Sequence, residues 1–376
     1  MSHVGAAGET VALVADLHLA DGGDRDPFRE DELFATTVGR LIADAADRRF
    51  RLVLLGDTVD FPAVTLPGAP VTPATRPADA VAKLDRVLAA HQPVVTALQE
   101  LAEAGHHVDV VAGNHDMELV MPAVQTRLRD ALGGSPDSVS VHPWMVYLPG
   151  LLYAEHGQQQ HDVNRFARLG GCGCADEPLA VPAGSYLDAL VHLRDRQPGA
   201  STPALVAQAA RMGAGLVEGL VRLSRAERDR SDRERDLATA VPTGLPPAAV
   251  LAIDRASAAT PTSIARRAAA MAARRLPSSR SGPGIPYMHA AAQRVHQVLE
   301  AQECAVPFYA FGHTHIAEDV PLGTGAGARY LNPGTWSSML RKAPGGERRC
   351  GVVVVEREPG AAPRAELRAP AWTAAT

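Results

Sequence analysis

Apolar residues in this chain follow two rhythms. Short unbroken runs occupy residues 11–15 (Val-Ala-Leu-Val-Ala), 52–55, 110–112, 306–311 and 352–355. Runs of this length read as strands buried on both faces. Between the first three runs the spacing changes to threes and fours. Leu33, Phe34, Thr37, Val38, Leu41, Ile42 and Ala45 predict an amphipathic helix over 31–46, and a second helix follows over 81–104. Strand, helix, strand at these lengths predicts parallel crossover units and so an α/β fold. Residues 117–132 predict a further helix with Asp116 as its cap. Pro149-Gly150, between 145–148 and 151–154, predicts a hairpin. Residues 62–77, rich in Pro, Thr and Ala, predict a surface loop. Residues 329–331 lead into Asn332-Pro333-Gly334-Thr335, which reads as a turn.

From 163 to 300 the strand rhythm fades. Leu205, Ala209, Met212, Leu216, Leu220 and Leu223 form one helical stripe, running into a mixed-charge segment over 225–236 that reads as a solvated extension. Residues 263–276 and 287–301 predict two more helices. This stretch carries 18 Arg against 12 Asp and Glu, so it is basic while the rest of the chain is acidic. The expected organisation is a core made of 1–162 and 304–358, a helical insertion or cap over 163–303, and a loose tail over 359–376. The apolar stripe is expected to pack on the core or on a second copy, which makes the insertion a route to a homo-oligomer.

Composition narrows the class. With 46% hydrophobic and 21% charged residues the chain suits a soluble globular protein, and a net charge of -5 argues against a generic nucleic-acid partner. No run of about 18 apolar residues predicts a transmembrane helix, and the N-terminus lacks the basic-then-apolar pattern of a signal peptide. Four cysteines stand at 172, 174, 304 and 350. Cys172 and Cys174 are too close for an unstrained disulfide, and the spacing is wrong for a four-cysteine zinc site. Reduced thiols and a cytoplasmic location are the expectation.

The candidate chemistry sits where the strand runs stop. The third run ends in Gly113-Asn114-His115-Asp116, the first in Asp16-Leu17-His18, and the second in Gly56-Asp57-Thr58-Val59-Asp60. The hairpin's second strand ends in Glu155-His156-Gly157, and the run at 306–311 in Gly312-His313-Thr314-His315. Alternation along an extended chain places Asp16 with His18, and His313 with His315, on one face. Asp16, His18, Asp57, Asn114, His156, His313 and His315 together offer two carboxylates, one amide oxygen and four imidazoles. That donor set suits Mn²⁺, Fe, Zn²⁺ or Ni²⁺, and it is enough for two ions sharing one carboxylate. His91, His106 and His107 read as solvated.

Asp-x-His, Gly-Asp-x-x-Asp, Gly-Asn-His-Asp, His-Gly and Gly-His-x-His, in that order and followed by Asn-Pro-Gly-Thr, resemble the calcineurin-like metallophosphoesterases. The resemblance covers roughly 11–162 and 304–356. It implies a sandwich of two packed mixed β-sheets flanked by helices. It implies that Asp16, His18 and His315 hold one metal, that Asn114, His156 and His313 hold a second, and that Asp57 bridges them. It implies a catalytic His115 beside the metals, oriented by Asp60. The implied activity is in-line hydrolysis, by a hydroxide bridging two divalent ions (Mn²⁺ the first choice in vitro), of a small phosphomonoester or phosphodiester.

Phe61-Pro62 after Asp60, and Asp116 at the end of the third motif, depart from protein phosphatases of this superfamily. His115 departs from the lipid-A pathway pyrophosphatases, which carry Arg there. A pyrophosphatase acting on a nucleotide-diphospho-sugar or lipid-like substrate under the helical cap remains an alternative, with the insertion's arginines as anion-binding groups. A non-catalytic metal-binding scaffold is the reading from another class.

Overall fold

A computed structural model describes residues 8–24, 26–45, 48–67, 76–135, 137–161, 163–169, 179–191, 201–238, 240–242, 244–257, 285–323, 327–338 and 350–370. Two mixed sheets form the centre. The first holds β1 (Glu9–Val14), β2 (Arg49–Leu55), β3 (His107–Val111) and β4 (Val139–His142) in parallel, with β10 (Val352–Arg357) and β11 (Arg364–Arg368) antiparallel at the β1 edge. The second runs β5 (Met145–Leu148), β6 (Leu152–Glu155), β7 (Phe308–Phe311), β9 (Arg329–Pro333), β8 (Ala317–Pro321), with β6, β7 and β9 parallel.

The continuous apolar runs are explained by burial on both faces. Val11, Leu13, Val53, Leu55, Val111, Val353 and Val355 from the first sheet meet Val146, Leu152, Ala154, Phe308, Ala310 and Leu331 from the second in one buried cluster. The alternate residues Ala12, Val14, Leu52, Leu54, Val108 and Val110 face outward, into a cluster shared with helix side chains such as Phe34, Val38, Leu41, Leu84 and Leu101. Those belong to α1 (Asp31–Ala45), α2 (Pro77–Ala90) and α3 (Gln92–Glu103). The period of two therefore serves two cores, one between the sheets and one under the helices.

Several expectations change. The helix expected over 81–104 is two helices, broken at His91 just before Pro93. The helix expected over 117–132 is a short 3₁₀ turn, Met117–Val120, followed by α4 (Pro122–Ala131), because Pro122 can begin a helix but not continue one. His91 is buried, its two ring nitrogens each 2.8 Å from a carboxylate, Asp26 and Asp31. His107 opens β3 and pairs with buried Asp109 at 3.2 Å, and His106 packs edge-on against Phe50. His91 is therefore not solvated, while His106 and His107 are half-buried. The segment after Pro359 is no loose tail along its whole length, since β11 pairs with β10 from Val352↔Arg368 to Glu356↔Arg364.

Beyond the hairpin come α5 (Ala183–Val191), α6 (Thr202–Arg228), α7 (Arg230–Ala238), α8 (Pro247–Ser257) and α9 (Ile285–Ala301). The helix expected over 263–276, and Cys172 and Cys174, lie outside the described residues; Cys304 and Cys350 are in no disulfide among the described residues. The mixed-charge segment is not simply solvated. Arg233 is buried, with Nη2 donating to Asp254 Oδ1 at 2.7 Å and Nη1 to the carbonyls of Phe166 and Ala167 at 3.1 and 3.0 Å. Arg165 Nη2 donates to the same Asp254 oxygen at 2.6 Å, and Asp236 accepts the Leu169 amide at 2.7 Å. Each buried charge here has a partner, as burial requires. The network fixes α7 and α8 to the chain just after His156. Helix 202–225 is long and apolar enough by length and composition to cross a membrane, with a mean hydropathy of 1.2, and 22% of that window is buried in the fold.

Candidate metal centre

β1, β2, β3, β6 and β7 deliver their C-terminal ends to one edge, where ligands characteristically sit in sheets with parallel strands. The ladder is continued there by the loops. Asp16 N donates to Gly56 O at 3.1 Å, His18 N to Asp57 O at 2.8 Å and Leu19 N to Thr58 O at 2.9 Å. Gly312 N donates to His156 O at 3.0 Å, joining the β6 and β7 ends.

Alternation along an extended strand is not what aims the side chains. β1 ends at Val14, and Asp16 and His18 adopt left-handed backbone with φ of 55° and 57°. Asp57, His313 and His315 do the same, at 48°, 69° and 62°. Among the described residues seven non-glycine positions have positive φ, and these five are the majority. Each costs on the order of 1–3 kcal/mol, and such strain persists only where surrounding contacts enforce it. Here they do. Thr335 Oγ1 donates to the Asp16 carbonyl at 2.8 Å, and Asn332 Nδ2 donates to Gly312 O at 3.1 Å and Thr314 Oγ1 at 3.0 Å. Asn332 and Thr335, expected as parts of a turn, brace two of the loops.

The resulting geometry gathers the expected residues into three overlapping groups: Asp16, His18 and His315; His18, Asp57 and His115; Asp57, His156 and His313. Within each group the donor atoms lie within 4.8 Å of one another. In the first, His315 Nε2 is 3.1 Å from Asp16 Oδ1 and 3.2 Å from His18 Nε2. In the third, His156 Nε2 is 3.2 Å from Asp57 Oδ2. That same Oδ2 is 3.7 Å from His18 Nε2, while Asp57 Oδ1 accepts the His115 amide at 2.8 Å. One oxygen of Asp57 thus faces both outer groups and the other fixes the backbone of the Asn114-His115 turn. The two imidazoles of Gly-His-x-His part company, His315 to one group and His313 to the other.

The residues present fit divalent ions. Asn114 Oδ1 is buried with no hydrogen-bond partner, and Asp16 Oδ1 and His156 Nε2, though close to His315 Nε2 and Asp57 Oδ2, make no aligned hydrogen bond. Leaving such atoms unpaired costs about 1–3 kcal/mol each, which a cation would offset. Two nitrogens each about 2.1 Å from one ion stand roughly 3.0–3.4 Å apart, the spacing His18 and His315 already show. His156 gives its other nitrogen, Nδ1, to the Leu55 carbonyl at 2.9 Å, which leaves Nε2 for a ligand role.

Electrostatics agree. Burial alone would raise the Asp57 carboxyl, but the His156, His115 and His18 imidazoles hold it well below the usual carboxylate range. Burial would lower His156, yet the Asp57 and Asp16 carboxylates push it up to about 9. A proton stands there until a cation competes with it. Burial and the neighbouring His156 and His161 hold His313 well below 6.5, so its ring is neutral.

Asp60 carries more than the one contact expected of it. Its Oδ1 is 3.2 Å from His115 Nδ1 and its Oδ2 is 3.4 Å from His18 Nδ1. Burial would lower His115, but Asp60 and Asp57 raise it well above 6.5, and Asp188 on α5 pushes the same way. Asp116 stands at the N-cap position of the Met117–Val120 turn, but its side chain makes no capping bond. Its carboxylate accepts the amides of Gly113 at 2.6 Å, Thr58 at 2.7 Å and Val59 at 3.2 Å, clamping the second and third strand ends together. Burial and Asp57 nevertheless push its pKa up to about 7.

Two polar residues at the site had not been singled out. His161 Nδ1 lies 3.3 Å from His313 Nε2, and the Asn164 amide is 3.0 Å from His161 and 3.4 Å from His313. The signal was present as His161-Asp162-Val163-Asn164 just after His156-Gly157, but the expected domain border ran through it. α5 begins against this pair, with Gly184 N donating to Val163 O at 2.7 Å.

Gly113 shows how tightly the strand ends meet. A Cβ there would lie 2.2 Å from Asp57 Oδ1 and 2.5 Å from its amide. Gly113→Ala is therefore expected to cost roughly 1–3 kcal/mol by overpacking and to lower metal content by displacing Asp57. Denaturant melts and metal analysis would check both; unchanged values would contradict this packing.

No protein-family model matches the chain, and no curated protein matches it significantly in sequence. Among solved structures, 23 chains match in fold comparison. One is 10% identical with a TM-score of 0.34, covering 96% of this chain and 99% of its own length. Another, the phosphopantetheinyl hydrolase PptH from Mycobacterium tuberculosis, is 15% identical with a TM-score of 0.26, covering 91% of this chain and 95% of its own.

Proposed function

We propose that this chain is a metal-dependent phosphoester hydrolase acting on a small phosphomonoester or phosphodiester, with the architecture and site of the calcineurin-like metallophosphoesterases. The observation that carries the reading is the pair of three-residue groups, Asp16–His18–His315 and Asp57–His156–His313, joined through Asp57 Oδ2. Asn114, whose Oδ1 is buried without a partner, joins the second group. Divalent ions held there would supply positive charge against the phosphoryl oxygens and make a water molecule more acidic near neutral pH.

The chain's own groups do the rest. Asp16, Asp57 and the four imidazoles would hold those ions and through them set where the phosphoryl group lies. His115, carrying a proton under the influence of Asp60 and Asp57, stabilises charge on the phosphoryl oxygens or gives its proton to the leaving oxygen. Asp60 holds the His115 ring through Nδ1, so Nε2 is the atom that meets substrate. The start of α5 beside Asn164 supports a cap over one side of the site, as a diphosphate-cleaving alternative would also use.

The test is turnover of p-nitrophenyl phosphate and bis-p-nitrophenyl phosphate by full-length protein loaded in turn with Mn²⁺, Zn²⁺, Fe²⁺ and Ni²⁺, with chelated protein as control. Metal-dependent release of nitrophenol is the expected result. Protein that binds metal and hydrolyses neither ester would favour the scaffold reading. Protein that binds no metal would overturn both.

A further inference from the structure

His313 meets two side chains for which the proposed chemistry has no use. Its Nε2 lies 3.3 Å from His161 Nδ1 and 3.4 Å from the Asn164 amide nitrogen, which is itself 3.0 Å from His161 Nδ1. The two rings are tilted, with centroids 5.5 Å apart, and all three side chains are half-buried. The segment that carries the pair is held from several sides. The amides of Asn164 and Arg165 both donate to the His161 carbonyl at 2.9 Å, closing a turn. Buried Arg165 donates through Nη1 to the Gln159 carbonyl at 2.7 Å and through Nη2 to Asp254 of α8 at 2.6 Å. Gly184 N of α5 donates to Val163 O at 2.7 Å, and a Cβ at Gly184 would collide with Asn164 Oδ1. The Asn164 amide is thus packed between the insertion and two imidazoles.

An imidazole that binds a cation gives one nitrogen to it, and the hydrogen bond made by the other nitrogen decides which. For His313 the acceptors stand at Nε2. His161 Nδ1 can accept there, and with the Asn164 amide turned its oxygen can. Nδ1 is then the nitrogen left for the group formed with Asp57 and His156. Among the described residues His161 belongs to none of the groups whose donor atoms lie within 4.8 Å of one another, so its ring serves a ligand and not an ion.

We infer that His161 and Asn164 are positioning residues, which keep the hydrogen of the His313 ring on Nε2, aim Nδ1 at the ion shared with Asp57 and His156, and tie that ion to the docking of α5. The other ligands are braced differently. His18 Nδ1 has Asp60 Oδ2 at 3.4 Å, and His156 Nδ1 has the Leu55 carbonyl at 2.9 Å, both from the core. The inference rests on the metal-dependent reading for the ion, but not for the ring, whose tautomer the metal-free protein reports by itself.

Two measurements on full-length protein test it: ¹⁵N NMR of the histidine rings without metal, with the His313 signals assigned by their loss in His313→Gln, and calorimetric titration with Mn²⁺. The wild-type ring should carry its hydrogen on Nε2. His161→Leu and Asn164→Ala, checked for folding by circular dichroism, should each weaken one of two ions about 10–100-fold and leave the other unchanged. His161→Asn, whose Oδ1 stands near the place of Nδ1, should recover most of that loss. Gly184→Ala, which displaces Asn164 from outside the pair, should weaken the same ion. A His313 ring with its hydrogen on Nδ1 would overturn the inference. So would unchanged affinity in both His161→Leu and Asn164→Ala, an equal loss at both ions, or no recovery in His161→Asn. Wild-type protein that takes up no ion would defeat the metal-dependent reading, and the ring tautomer would still decide this one.

Discussion

Asp57→Asn is expected to remove metal and turnover together. Its carboxylate stands between the two outer groups. Its Oδ2 lies 3.2 Å from His156 Nε2 and 3.7 Å from His18 Nε2, and its Oδ1 accepts the His115 amide. Asparagine keeps the shape and loses the charge. It also places an NH₂ donor where a second acceptor stood, so one of its contacts faces the wrong way. Both outer groups lose their shared carboxylate at once. The expected fall in kcat/KM is about 10³-fold or more, roughly 4 kcal/mol of transition-state stabilisation. Metal content measured on the same preparation should fall by at least one ion per chain. A variant with full metal occupancy would deny Asp57 its shared role, whatever its activity.

The loss should appear in the apo-protein as well. His156 is held up to about 9 by Asp57 and Asp16, against burial that would lower it. Removing the larger of those two influences leaves burial to dominate, so the imidazole should lose its proton at lower pH in Asp57→Asn. Proton NMR of metal-free protein reads this without any substrate. An unmoved titration would mean that the Asp57 carboxylate is not where the fold puts it.

Much of this site was legible because the information is local. An apolar run ends, a glycine follows at 56, 113 and 312, and polar residues come next; each strand end can be read without its neighbours. The glycines were legible as punctuation but not as contacts. That Gly113 leaves room for Asp57 depends on β2 and β3 being adjacent, which is a matter of topology. The same is true of Asp116, read as a local cap and found clamping a loop 58 residues away. His91 and Arg233 were assigned to solvent because charge in isolation belongs there. Their burial depends on Asp26, Asp31 and Asp254, brought near only by the fold. Alternation grouped Asp16 with His18, but the backbone that holds them is left-handed and not extended, and the same spacing with the same left-handed backbone sends His313 and His315 to different groups.

His115→Ala decides between two roles that the geometry leaves adjacent. His115 lies with His18 and Asp57 in one of the three groups able to hold an ion, its ring 4.7 Å from that of His18. It also has its Nδ1 against Asp60, and burial notwithstanding it retains a proton well above the ordinary histidine range. A ligand must be free of that proton and an acid must carry it, so the two roles exclude each other. The acid role predicts that His115→Ala keeps its metal and loses about 10²–10⁴-fold in kcat. The loss should be smaller on a nitrophenyl ester, whose leaving group departs without a proton, than on an alkyl ester, whose alkoxide needs one. Equal losses on both esters would assign His115 to charge on the phosphoryl oxygens. Loss of an ion along with activity would make it a ligand, and wild-type rates on both esters would remove it from the chemistry altogether.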